Sequence, residues 1–235
     1  MKTFLATCLF LSSLGFISCK PLNVSEKESE ALNEIASLYG GTCKHIIDLN
    51  ASPKYGKTKC FEIQIENSEF LDENAKWTEM SAANIAYVFF TFVKDEKQKY
   101  SSIKSSIYTN RGKVSFDYSI DTLELVYNKM AYVRQVVSLL KHHRYEKIEA
   151  LLRPEILLTN EDKPKFISEL KSVDPGFGEI IGFTPAGFRF SYPENGNNFL
   201  HISGNLKRTK QDTQFSVDIN PSSGKNELYL YGYEY

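Results

Sequence analysis

The sequence predicts an α+β fold, with an N-terminal α+β half followed by a helical segment packed on one face of an antiparallel sheet. Three observations carry this reading. Helix-start signatures stand at Ser25 and Asp121, and period-two apolar alternation recurs from Phe61 onward. From residue 121, three helical segments precede a run of strands that lasts to the end of the chain.

In the first half, Ser25 and Glu28 have capping-box spacing, and Leu32, Ile35, Ala36 and Tyr39 share one helical face that Gly40 and Gly41 terminate. Residues 43–59 carry Pro53, Gly56 and four lysines, which predicts a loop. In "CFEIQIEN", Phe61, Ile63 and Ile65 alternate with Glu62, Gln64 and Glu66, the pattern of a half-buried strand. The apolar segment 79–93, "EMSAANIAYVFFTFV", predicts a buried helix because Ala82, Ile85, Ala86, Phe89 and Phe92 follow a 3.6-residue period; a strand from Ile85 is the alternative. Two strands, 100–108 and 113–118, are joined at Asn110-Arg111-Gly112, a hairpin turn.

In the second half, Asp121 and Glu124 repeat the capping-box spacing and open a long helix to about His142, with Val126, Met130, Val133, Val137 and Leu140 inward. Shorter helices follow over 145–152 and 160–173, the latter with Phe166, Ile167 and Leu170 inward, and Pro175-Gly176 ends them. From Glu179, four or five alternating strands form a meander, separated by turn signals at Asn195-Gly196 and 221–224. The expected organisation is a signal over 1–18, a tether over 19–24, an α+β domain over 25–120 and a cone-like α+β domain over 121–235.

The leader rests on Lys2, followed by an apolar run from Phe4 to Ile17 that is shorter than the roughly 20 residues needed to span a bilayer. Its end, "GFISC", resembles the bacterial lipobox, although Phe16 stands where that family usually has Leu, Val or Ile. The resemblance implies cleavage before Cys19 and diacylglycerol on its thiol, so the expected partner is a lipid bilayer. Cleavage after Gly15, leaving Cys19 an ordinary cysteine, is the alternative. With 28 basic and 29 acidic residues and no basic stripe, no nucleic-acid partner is expected. Cys43 and Cys60 fit either a disulfide, which exported proteins tolerate and which would contribute about 3 kcal/mol, or two buried thiols.

Chemistry-bearing motifs are few. There is no HExxH, GxSxG, SxxK, P-loop or dinucleotide fingerprint, and neither a metal nor a cofactor is implied. His142 and His143, flanked by Lys141 and Arg144, read as a helix C-terminal cap. Strand alternation places Arg189, His201, Ser203, Ser216 and Asp218 on one polar surface, either a solvated outer face or a ligand-binding wall; Arg189, His201 and Ser203 are the candidate ligand-binding residues. Tyr229, Tyr231, Tyr233 and Tyr235 alternate along the last strand as packing or as a recognition ladder, and Trp77 reads as a lid over the apolar helix that follows it.

The order "KHHRYEKIEALL", "KPKFISELK", "GEIIGF" and then strands resembles the nuclear-transport-factor-2-like, cystatin-related cone fold over about residues 121–235. The whole chain is similar to uncharacterised lipoproteins of the Bacteroidota, through the helix after the anchor and "SAANIAYVFF" in mid-chain. These resemblances imply a fold and a compartment, not an activity. Lys20, Pro21 and Leu22 lack the acidic cluster that resembles a surface-export signal, so the expected site is the outer membrane, facing the periplasm. The expected role is a non-enzymatic binding or assembly module that uses its sheet or the cleft between its halves to hold a small ligand or an envelope protein. The competing reading is a cone-fold enzyme with His201 as general acid or base in an apolar pocket, and the lining of any cavity between helix 121–142 and the C-terminal sheet distinguishes the two.

Overall fold

Ser25 opens the first element in the computed structural model, which describes residues 24–52, 56–152, 162–192, 198–222, 224 and 227–234. The segment expected to be a signal, Cys19 and Tyr235 lie outside the described residues. Helix α1 (Glu26–Tyr39) begins with the expected capping box: the Ser25 hydroxyl accepts from Glu28 N at 3.3 Å, and Glu28 Oε2 accepts from Ser25 N at 2.7 Å. Its buried stripe is Ala31, Ile35 and Tyr39, and the chain leaves it through Gly40 and Gly41 at φ of 67° and 75°. At Gly41 a side chain would also strike the Glu66 carbonyl at 2.4 Å, so the turn requires glycine.

Two strands follow, β1 (Thr42–Ser52) and β2 (Gly56–Glu66), paired as an antiparallel hairpin. Most of the segment expected to be a loop is therefore strand. As the edge strand, β1 pairs only with β2 and exposes most of its side chains, so burial imposed no apolar alternation on it.

A short helix α2 (Glu69–Glu73), a 3₁₀ turn (Ala75–Trp77), helix α3 (Thr78–Val93) and a second 3₁₀ turn (Lys94–Lys99) lead to β3 (Ser102–Thr109) and β4 (Gly112–Ser119). Strands β2 and β3 are parallel neighbours, an arrangement that demands such a crossover. The first sheet has the order β1-β2-β3-β4.

Helix α3 is apolar nearly all round, as a helix enclosed by protein must be. It contacts α1, β3 and β4, and also the later elements α4 (Ile120–Lys141) and β5 (Ile180–Ser191), so it joins the two halves. Phe89 and Phe90 are buried, and Phe89 packs on Phe61 with ring centroids 4.3 Å apart. Full burial of such a side chain contributes about 1.5–3 kcal/mol.

Helix α4 carries the expected inward face, all of it buried. Its cap is Ser119, two residues before the expected Asp121: the Ser119 hydroxyl accepts from Thr122 N at 3.1 Å. Helices α5 (Tyr145–Glu149) and α6 (Asp162–Val173) follow, then a 3₁₀ turn (Asp174–Phe177). Ile167 and Leu170 are buried as expected. The second sheet is a four-stranded antiparallel meander of β5, β6 (Phe199–Arg208), β7 (Thr213–Ile219) and β8 (Leu228–Glu234). Register shifts at Ile180/Gly182 and Pro185/Gly187 bend β5. The fold is α+β with a curved sheet, and one contiguous buried cluster runs from Ala31 to Leu228.

The disulfide that Cys43 and Cys60 allowed does not form. In the hairpin Cys43 faces Ile65 and Cys60 faces Asp48, five positions apart, or about 17 Å along a strand. A bridge needs Cα atoms within about 7 Å. Both are free thiols, and burial pushes that of Cys43 up to about 11.

Candidate functional site

The alternation of β6 and β7 builds one wall of a cleft. Leu200, Ile202 and Leu206 of β6 and Phe215, Val217 and Ile219 of β7 are buried in the core, which turns His201, Ser203, Asn205, Gln214, Ser216 and Asp218 to the opposite face. Register then aligns them across strands. Arg189 pairs with His201 and His201 with Asp218 in one rung; Gly187, Ser203, Ser216 and Gly232 form the next. His201 Nδ1 lies 2.6 Å from Asp218 Oδ1, with the two side chains 18% and 19% exposed. Asp218 thereby fixes the imidazole, and Nε2 is the nitrogen left for a ligand. Arg189 is exposed and, among the described residues, has no hydrogen-bond or ion-pair partner.

The facing wall comes from the N-terminal half. Glycine at 187 permits its approach, since a Cβ there would sit 2.3 Å from the Met80 carbonyl oxygen. Leu38 and Tyr39 close α1, and the Tyr39 carbonyl accepts from Ser68 Oγ at 2.5 Å. The same hydroxyl accepts from Leu71 N at 3.1 Å, so one serine both caps α2 and ties it to the end of α1. Phe70, Asn74 and Trp77 follow, then Met80, Ser81 and Asn84 on the first turns of α3. Together the two walls enclose about 420 Å³. Leu38, Phe70 and Trp77 are 40%, 50% and 46% exposed, an unusual gathering of accessible apolar surface at one place.

Behind this wall lies an incomplete hydrogen-bond chain. The Tyr39 hydroxyl donates to the Ser81 carbonyl at 3.4 Å and accepts from Asn84 Nδ2 at 2.8 Å. A tyrosine has one proton to give, so this chain fixes the orientation of the Asn84 amide. Burial raises the Tyr39 hydroxyl to about 12 against the opposing effect of the Asn84 hydrogen bond, so it stays protonated. Asn84 Oδ1 is left buried with no partner, in a side chain that lines the cleft and is 4% exposed overall. An unmade hydrogen bond of this kind costs about 1–3 kcal/mol.

All three candidate ligand-binding residues, Arg189, His201 and Ser203, line this cleft. It lies between the halves, with α1–α3 on one side and the second sheet on the other, and no residue of α4 lines it. Trp77 stands at the N-cap of α3 and lines the cleft. The other histidines are elsewhere. His142 caps α4, its Nδ1 2.7 Å from the Ser138 carbonyl, as its position predicted. His143 Nδ1 lies 2.8 Å from the Tyr145 hydroxyl, which donates to Asp174 Oδ2 at 2.8 Å; Arg208 Nη2 donates to Asp174 Oδ1 at 2.5 Å. His45 stacks on Phe61 at 5.5 Å. Of the last-strand tyrosines, Tyr229 is buried.

Sequence reasoning missed Tyr39, Phe70 and Asn84 as site residues. One signal was present: Asn84 is an amide in the middle of an apolar run. Among the described residues no group of three His, Cys, Asp or Glu is placed to hold a metal, and no helix is long and apolar enough to cross a membrane. Compared with protein-family models, curated proteins and solved structures, the chain matches none.

Proposed function

We propose that this chain is a lipid-anchored envelope protein that binds a small ligand in the cleft between its N-terminal helices and its second sheet. The observation that carries the reading is the exposed, unpaired Arg189 guanidinium beside the amides and hydroxyls of β6 and β7, facing the exposed aromatic surface of Phe70 and Trp77 across one concavity. Concave, partly apolar sites with a few convergent polar groups are where proteins hold small molecules. The tether through Cys19, the outer-membrane location facing the periplasm, and kinship with the cone fold and with Bacteroidota lipoproteins belong to the same proposal, supported by the leader and the motifs of the chain.

Native mass spectrometry of the protein purified from its source tests the binding. A bound mass is expected on the wild type and is lost in Ser203→Trp, whose indole fills the cleft. Equal masses on both proteins overturn the reading. The anchor is tested separately: labelled palmitate enters the wild type but not Cys19→Ala, and label in neither removes the lipid.

A second reading, an enzyme with His201 as general acid or base, is favoured by one feature, the 2.6 Å contact with Asp218 that orients the ring. Turnover by the purified protein that disappears in His201→Gln would establish it over simple binding.

A further inference from the structure

We infer that the ligand of this cleft is a small sugar acid, a mono- or disaccharide carrying one carboxylate; this rests on the cleft being a binding site, as proposed above. The lining decides the class. The side chains of Asn74, Asn84, Ser203, Asn205, Gln214 and Ser216 are neutral amides and hydroxyls that both donate and accept hydrogen bonds. Such a set matches a ligand whose own groups also do both, which is the property of sugar hydroxyls. The carboxylate on this face, Asp218, is outside the cleft lining and is engaged by His201 Nδ1 at 2.6 Å, so no free carboxylate is offered to an ammonium or guanidinium group. Arg189 is the lining cation, and its forked donors suit one carboxylate; a phosphate ester would call for more positive charge.

The opposite wall supplies the other half of the match. Phe70 and Trp77 present about half of their surface, and a pyranose ring has an apolar C–H face that lies flat on such rings while its hydroxyl edges reach the polar strands. The volume of about 420 Å³ is near the small end of ligand pockets, so one or two rings fit and a long glycan does not.

Trp77 is the only tryptophan in the chain, so its emission reports occupancy directly. The mature protein is titrated with D-glucuronate, D-glucose and, as an apolar comparison, anilinonaphthalene sulfonate. Glucuronate is expected to shift the emission saturably and to bind about tenfold more tightly than glucose. Arg189→Ala, a change at an exposed side chain, should abolish that tenfold preference, the loss of one charge-assisted contact. Equal binding of the two sugars by the wild type overturns the carboxylate assignment. If only anilinonaphthalene sulfonate binds, the sugar inference fails and the binding cleft stands. If none of the three shifts the emission and native mass spectrometry finds no bound mass, the cleft reading fails with it.

Discussion

Glu62 is a carboxylate held at 5% side-chain exposure on the face of the first sheet opposite Phe61 and Ile63. It accepts from Ser106 Oγ at 2.6 Å, Gln64 Nε2 at 3.0 Å and Lys104 Nζ at 3.1 Å, and Lys113 Nζ lies 3.5 Å away. Burial by itself would raise the carboxyl, but these donors and the Lys104 charge outweigh it and lower it from 4.5 to about 2. A depressed carboxylate stabilises the fold above its unfolded value, and the contribution disappears as pH falls towards the folded value. At about 1.4 kcal/mol per unit, the shift corresponds to about 3 kcal/mol at neutral pH, of which about 2 kcal/mol is gone by pH 3. Glu62→Gln cannot titrate. In urea unfolding series at pH 6 and pH 3, the stability gap between wild type and Glu62→Gln should therefore narrow by about 2 kcal/mol. A gap that stays constant across this window refutes the assignment of the shift to Glu62.

Asp174 and Arg208 form a buried ion pair, each 1% exposed. Asp174→Asn removes the charge that faces the buried guanidinium and should cost about 3–5 kcal/mol in denaturant unfolding. Gly187→Ala forces a methyl against the Met80 carbonyl and should cost about 1–3 kcal/mol, while Gly182→Ala, whose Cβ meets Lys207 Cβ at 3.7 Å, should be within about 0.5 kcal/mol of wild type. Equal effects at the two glycines would mean that β5 and α3 are not in close approach. Thiol titration of the unfolded mature protein, before and after reductant, should give the same count, because Cys43 and Cys60 are unbridged.

Elements with strong local signals were legible: the α1 capping box, the α3 periodicity, the β3–β4 turn and the C-terminal meander all stand where the pattern put them. What failed was decided non-locally. β1 reads as loop because an exposed edge strand needs no apolar stripe, and a charge such as Lys44 on an edge discourages pairing with other chains. Both Ser119 and Asp121 are competent caps, and the competition was settled by β4 running on to Ser119, whose extended backbone places its hydroxyl over the first turn. The parallel pairing of β2 with β3 has no local signature at all, since alternation fixes which face a residue takes but not which strand lies beside it.

The same division runs through the site. Its sheet wall was legible because period two is a rigid rule: once Leu200, Ile202, Val217 and Ile219 point inward, His201, Ser203, Ser216 and Asp218 must share the other face. The helical wall was not, because Phe70, Trp77 and Asn84 reach that face only through the crossover and the contact at Gly187. A polar sheet face with nothing opposite would be solvated surface, and the amide within "SAANIAYVFF" finds its partner in Tyr39 of α1, on the helical wall itself. A polar residue breaking an otherwise apolar helix is therefore the sequence-level clue to search for beside a polar strand rung, and His201 with Asn84 is the pairing it would have found.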